Sequence, residues 1–282
     1  MKHDHSNGRS ISTNHLPTER GAAPARRFGF WVLSLVCAGC GSASVELKIG
    51  EVRDDPAALE ASLRSDPMSH LSHAEQLAGK LTHYRLTFYR QERLGLIPQL
   101  RPRERIAATF RVEPFSVKFV WLDEDSEYCE ALFVRGAHDD RVLLLPRRGL
   151  FGMAPSVGRY PPELGVTFHK ARNSITEFGL QRMIFRTIKR IENAEANGGV
   201  TVRYVGRRDV EDVPVYHIEI LYPPDDPWPN NRQDLFLDVE TGLPVGTSLW
   251  LPDDQLDATY LYLHCESPEA PFDDSAFMIS DA

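Results

Sequence analysis

The chain has 282 residues, 42% hydrophobic and 10% aromatic, which is enough apolar material for a sizeable core and too much for a disordered chain. Its net charge is −8; residues 1–39 hold five basic and two acidic residues, leaving 27 basic against 38 acidic, a net −11, for the rest. A body this acidic lacks the basic footprint of a nucleic-acid binder and gains nothing from anionic headgroups, so no nucleic acid is expected as a partner and any membrane contact needs another cause.

Residues 1–25 are polar. Arg26 and Arg27 precede the apolar run Phe28 to Ala38, and Leu35-Val36-Cys37-Ala38-Gly39-Cys40-Gly41-Ser42 closes it. Basic residues, a short apolar stretch and small residues before a cut describe a secretory signal, and the run is shorter than the roughly 20 residues that span a bilayer. Ala38-Gly39-Cys40 resembles the bacterial lipobox, although Cys37 stands where that pattern usually has Leu. The resemblance implies a signal peptide over 1–39, cleavage before Cys40, diacylglycerol on the Cys40 sulfur and a lipid-anchored, envelope-facing protein. Cys37 and Cys40 also make a Cys-x-x-Cys, but its redox reading needs a βαβ context that a hydrophobic run does not supply.

Residues 40–55 read as a tether, and 56–282 as a single domain. Asp54-Asp55-Pro56 starts a helix, Asp66-Pro67 interrupts it, and Ser72-x-x-Glu75 reads as a capping box for a second segment ending near Leu81. From Tyr84 the period becomes two: Tyr84, Leu86 and Phe88 face one way, as do Ile106, Ala108, Phe110 and Val112, then Phe115, Val117, Phe119 and Trp121. Strands near 127–135 and 140–146 continue an antiparallel meander. Residues 147–173 lack a clean period and read as a long loop over part of the sheet. Ser174-Ile175-Thr176-Glu177 reads as the capping box of a helix running to about Asn193, with Leu180, Ile184, Ile188 and Ile191 as its apolar stripe and Arg182, Arg186 and Lys189 opposite. Strands near 200–206, 213–221, 232–239, 244–251 and 258–264 follow. Asp238 to Pro244 forms a tight connection with Gly242 at the positive-φ position. Residues 273–282 are a tail or a short helix.

About ten strands and one to three helices make an α+β fold: a strongly curved antiparallel sheet, an incomplete barrel, with one wet face and one covered by the amphipathic helix. The sequence holds no nucleophile elbow, His-Glu-x-x-His, P-loop or dinucleotide fingerprint, so no enzyme, cofactor or metal is expected. Asp123 to Glu127 lacks calcium-loop spacing and reads as a solvated turn. His217 and Glu219 read as an exposed pair, Asp253, Asp254 and Asp257 as loop and strand-start residues, and Arg101 to Arg105 as a solvated charged run. Cys129 and Cys265 are open between one disulfide and two buried thiols. The aromatic stripe Tyr84, Phe88, Phe110, Phe119 and Trp121 is open between ordinary core and the wall of a ligand cavity.

Four stretches, Tyr84 to Arg93, Arg111-Val112-Glu113-Pro114-Phe115-Ser116-Val117, Ile175 to Leu180 and Leu237 to Pro244, resemble the bacterial family called domain of unknown function 1571 over about residues 72–280. That family is similar in layout to the periplasmic lipoprotein-carrier (LolA/LolB-like) superfamily, in which helices close an incomplete barrel and acyl chains bind between. The resemblance implies a lipid or acyl-chain ligand against Tyr84, Leu86, Phe88, Phe110, Phe119 and Trp121, with Leu180, Ile184 and Ile188 plugging or lining the space. An envelope structural or protein-interaction module with a filled core is the alternative.

Overall fold

The computed structural model describes residues 55–149, 154–224 and 226–280. The leader, Cys40 and the tether to residue 54 lie outside the described residues. The described chain begins with two helices, α1 (Pro56–Ser65) and α2 (Pro67–Gly79), each opened by an aspartate cap and a proline at the first position. Asp55 accepts from Ala57 N, and Asp66 accepts from Ser69 N at 3.1 Å. Proline has no N–H to leave unpaired there, so Asp-Pro both ends one helix and starts the next. Ser72 therefore falls mid-helix, where its hydroxyl bonds back to Met68 O, and it caps nothing.

Eleven strands follow one another in a single antiparallel sheet, and a twelfth pairs at its side. The first long strand, β1 (His83–Leu94), lies at the centre. On one side of it run β3 (Glu104–Arg111), β4 (Ser116–Trp121), β5 (Tyr128–Val134), β6 (Val142–Pro146) and β7 (Gly158–Tyr160). On the other run β12 (Leu256–Glu266), β11 (Pro244–Trp250), β10 (Arg232–Asp238), β9 (Val213–Leu221) and β8 (Thr201–Val210). The two-residue β2 (Gln99–Leu100) pairs only with β1. Every neighbour pair but one joins consecutive long strands; the exception, β1 with β12, unites the two meanders through the register Phe88 with Tyr262 and Arg90 with Tyr260. Alternation holds on the covered face: Tyr84, Leu86, Phe88, Ile106, Ala108, Phe110, Phe115, Val117, Phe119 and Trp121 are all buried, and only Val112 departs, exposed just past the end of β3.

The capping box at Ser174 opens only a 3-10 turn (Ile175–Glu177), with Ser174 Oγ accepting from Thr176 N. Phe178 is extended and Gly179 has φ +137°, so the helix proper, α4 (Leu180–Asn197), starts later than its sequence signal. A side chain at Gly179 would be strained by that φ and would meet Tyr84 and Phe110 within 3.5 Å. With no side chain to cap the helix, the Tyr84 hydroxyl on β1 accepts from Leu180 N at 3.0 Å. The 147–173 segment is not a bare loop. It contains β7 and a one-turn helix, α3 (Leu164–Thr167).

The far face is less wet than strand alternation suggests. Val215, Phe236, Leu261 and Leu263 form a second small core there with Val210 and Val245. Past β12, the 3-10 turn Asp274–Phe277 seats Phe277 on Leu132 and Leu143, and Lys118 Nζ donates to Met278 O at 2.6 Å. Cys129 and Cys265 are free thiols, which corrects the disulfide reading. They sit on β5 and β12, with β4, β3 and β1 between them. Four strand spacings of about 4.8 Å far exceed the Cα separation of about 5.5 Å that a disulfide tolerates. Burial pushes the Cys265 thiol up to about 12, so it stays protonated.

Candidate ligand-binding site

Strand β1 carries the covered face from a packed end to an open one. Tyr84 stacks on Phe110 with ring centroids 4.7 Å apart, and Leu180 and Ile184 of α4 lie in the same core at 1% and 0% exposure. Two residues per step along the strand, Phe88 meets Phe119, Phe178, Tyr260 and Tyr262 at centroid distances of 4.9 to 6.4 Å. Beyond it the same face presents Arg90 and then Glu92, where core residues would be expected.

At that end lies a cavity of about 570 Å³. Phe88, Phe119, Trp121, Ala131, Leu144 and Leu249 of the sheet supply its apolar wall. The segment from Tyr160 to Phe178, including α3, lines the opposite side together with Met183, Arg186, Thr187 and Arg190 of α4. Those four fall at helical spacing i, i+3, i+4 and i+7, the edge of the helix beside its buried stripe. At the rim, Phe168 and Trp228 are 67% and 53% exposed, so large aromatic surface meets water where the cavity opens.

The polar end is a network of buried charge. Arg90 Nε donates to Glu104 Oε2 at 2.7 Å, and Trp121 Nε1 donates to Glu104 Oε1 at 2.9 Å. Glu92, 2% exposed, accepts on Oε1 from the Tyr260 hydroxyl at 2.6 Å and from Arg172 N at 3.3 Å. Asp257 accepts from Arg172 and, at 2.6 Å, from Asn230 Nδ2. Arg190 donates to Asn230 O and Asp226 while its guanidinium lies 3.5 Å from the Tyr222 ring centroid. Gln233 Nε2 reaches Thr187 and Thr247, both at 2.9 Å. Burial works against the charge on Arg90, but Glu104 and Glu92 outweigh it and hold the guanidinium above its ordinary value. Burial and then the Glu92 charge push the Tyr260 hydroxyl well above the ordinary tyrosine value, and burial and Glu127 take Tyr128 up to about 12. Every hydroxyl in the network therefore remains a donor at neutral pH. Among the described residues no group of His, Cys, Asp and Glu is arranged to hold a metal ion.

The structure divides the residues expected to bind ligand. Phe88, Phe119 and Trp121 line the cavity, whereas Tyr84, Leu86, Phe110, Leu180, Ile184 and Ile188 are buried in the core and do not line it. The helix meets the cavity with Met183 and the polar side chains of Arg186, Thr187 and Arg190. Arg90, Glu92, Glu104, Arg172, Asn230, Asp257 and Tyr260 were not foreseen as site residues. For Arg90, Glu92 and Glu104 the signal was the period-two pattern itself: Tyr84, Leu86, Phe88, Arg90, Glu92 is one unbroken face, and Glu104, Ile106, Ala108, Phe110 is its partner, so three charges stand on a face that is otherwise core. Glu104 is accordingly bonded and does not belong to a solvated run, and Asp257 is buried at 6% exposure. His217 is no exposed partner of Glu219. Its Nε2 lies 3.0 Å from Asp234 Oδ1, while Glu219 pairs with Arg203.

The model of a protein family of unknown function, DUF1571, matches residues 81–275, more than half of the chain, and the chain belongs to that family. No curated protein matches it. Among solved structures it is similar to MucB, at 16% identity and a TM-score of 0.46 over 76% of this chain and 63% of that one, so it spans less than two thirds of MucB. It is also similar to the Mycobacterium tuberculosis lipoprotein LppX (13% identity, TM-score 0.39, 77% of this chain and 99% of that one). A third similarity is to LprF from Mycobacterium bovis (8% identity, TM-score 0.41, 73% and 95%). Likeness of this order assigns this chain neither a ligand nor a partner.

Proposed function

We propose that this protein is an exported lipoprotein, held to an envelope membrane by lipid on Cys40, that binds a lipid or another apolar molecule without catalysis. On this reading the sheet bends around its ligand as an incomplete barrel, and the 160–178 segment with α4 covers it. The observation that carries the proposal is the cavity of about 570 Å³ between sheet and cover. It falls within the roughly 300–1,000 Å³ of small-molecule pockets, and its wall is mainly aromatic and aliphatic. A chain packed shut, as a purely structural module would be, has no reason to leave apolar side chains facing empty space, since each forfeits dispersion contacts. Burial of ligand surface contributes about 25 cal/mol per Å², part of which is offset by immobilising the ligand. No reacting group is required for that, and the buried ion pairs serve to hold the polar end in place.

Native mass spectrometry of the whole chain, before and after organic extraction, tests the proposal. A bound mass that extraction removes and added lipid restores is the expected result. A chain that is ligand-free throughout and takes up no apolar probe would leave the structural-module reading in its place. For the anchor, Cys40→Ala should move the protein from the membrane pellet to the soluble fraction, and continued sedimentation would assign the tether elsewhere.

A further inference from the structure

The polar end of the cavity is short of hydrogen-bond donors, and this bears on what the ligand must bring. Four of the five cations that line it are engaged by protein carboxylates. Arg90 is held by Glu104 at 2.6 Å, Arg172 by Asp257, Arg190 by Asp226 and Lys170 by Glu127. Arg186 donates to Asn173 Oδ1 at 2.9 Å and lies 4.0 Å from Glu177. Three buried polar atoms of lining residues are left over: the acceptors Glu92 Oε2 and Asn230 Oδ1, and one donor, Arg190 Nε, whose guanidinium is already held by Asp226 and Asn230 O and lies over the Tyr222 ring. Glu92 Oε2 and Asn230 Oδ1 have no hydrogen-bond partner among the described residues, although both side chains line the cavity and are 2% and 1% exposed. Arg90 approaches Glu92 Oε2 only to 3.9 Å. Charge points the same way: in the cluster around Tyr260, the carboxylates Glu92, Glu104 and Asp257 face the two guanidiniums of Arg90 and Arg172, an excess of one negative charge. An unpaired buried acceptor, and still more an uncompensated buried charge, is costly unless something donates to it.

Resting on the proposed ligand-binding function, we infer that the ligand is an amphiphile whose polar end is a hydrogen-bond donor, a hydroxyl or an ammonium, and not an anion such as a free carboxylate. The apolar tail lies along Phe88, Phe119, Leu144 and Leu249, and the donor end reaches Glu92 and Asn230. A carboxylate in that position would place a second negative charge beside Glu92, where the neighbouring guanidiniums of Arg90 and Arg172 are already held by Glu104 and Asp257.

The test is a titration of 1-decanol, 1-decylamine and decanoate against the whole chain carrying Cys40→Ala, near neutral pH, read by displacement of bound pyrene. Decanol or decylamine should bind at least about tenfold more tightly than decanoate, a difference of about one ion or hydrogen-bond pair. The stronger of the two identifies hydroxyl or ammonium as the natural donor, and either order supports the inference. Equal binding of all three, preference for decanoate, or pyrene uptake that none of them displaces overturns the inference and leaves the cavity reading standing. Failure to take up pyrene at all overturns the cavity reading itself. In Glu92→Gln, which keeps the side-chain shape and removes the charge, the preference of amine over carboxylate should shrink by about tenfold, and an unchanged ranking would remove Glu92 from the role.

Discussion

The two ends of β1 are built from the same alternating pattern and do opposite things. At Tyr84 and Leu86 the covered face is filled: Phe110 stacks, α4 presses Leu180 and Ile184 down, and the Tyr84 hydroxyl caps the helix that covers it. At Arg90 and Glu92 the face is charged, its partners Glu104, Tyr260 and the Arg172 N–H come from three other parts of the chain, and beside it the space stays open. The packed end fixes where α4 starts, and by fixing it sets Met183, Arg186, Thr187 and Arg190 one face further round, over the cavity. The filled end is thus the structural condition for the empty one.

This contrast can be broken first at the charged end. Arg90→Leu removes the guanidinium shared by Glu104 and Glu92, and stripping one partner from a buried pair costs about 3–5 kcal/mol, read as a lower urea midpoint at unchanged slope. At the filled end, Ile184→Ala should cost about 2–5 kcal/mol through the cavity it opens and should leave pyrene uptake intact. Leu144→Ala makes the sharper comparison. Its atoms already border empty space, so the expected loss is only about 1 kcal/mol, with ligand affinity carrying the larger effect. Tyr84→Phe keeps the ring stack and deletes the acceptor of Leu180 N, worth about 1 kcal/mol, and should show as faster amide exchange in the first turn of α4.

The smallest effect concerns the far face. Burial pushes the Asp234 carboxyl up, but donors from His217 and Trp250 and the nearby Arg232 outweigh it, and its net position is below its ordinary value of 3.8. A carboxylate depressed on folding adds stability above its unfolded value and loses it as pH falls through the folded one. Asp234→Asn should therefore lower stability at neutral pH, where the charged form contributes it, and the difference from wild type should disappear as pH falls below about 4.

The succession of strands, their alternation and the helix stripe were legible in the sequence because burial on one face writes itself at period two or 3.6; the pairing of β1 with β12 was not. The helix starts were misplaced where another local feature overrode the capping box: Ser72 lost to the Asp66-Pro67 cap, and Ser174 to the extended Phe178 and the positive φ of Gly179. Of the site, Phe88, Phe119 and Trp121 were legible as an aromatic stripe. The boundary between filled and open face was not, because it depends on which part of α4 and of the 160–178 segment lies above each strand, a matter of three-dimensional fit. Arg90, Glu92 and Glu104 were visible in phase with the core, but Glu104 was read as part of a solvated run and Arg90 and Glu92 were given no role. Asn230 and Asp257 lie in a loop and at a strand start whose partners are far away in the chain, with no local pattern to mark them.

The account stands on open apolar volume that takes up a molecule. Ala131 lines the cavity and is paired across the sheet with Phe119 and Leu144. Replacing it by tryptophan places an indole in that volume while leaving the packed end untouched. Uptake of pyrene by the wild-type chain and its loss in Ala131→Trp, with the cooperative unfolding transition retained, is the predicted result. Equal uptake by both chains, or none by either, would contradict it.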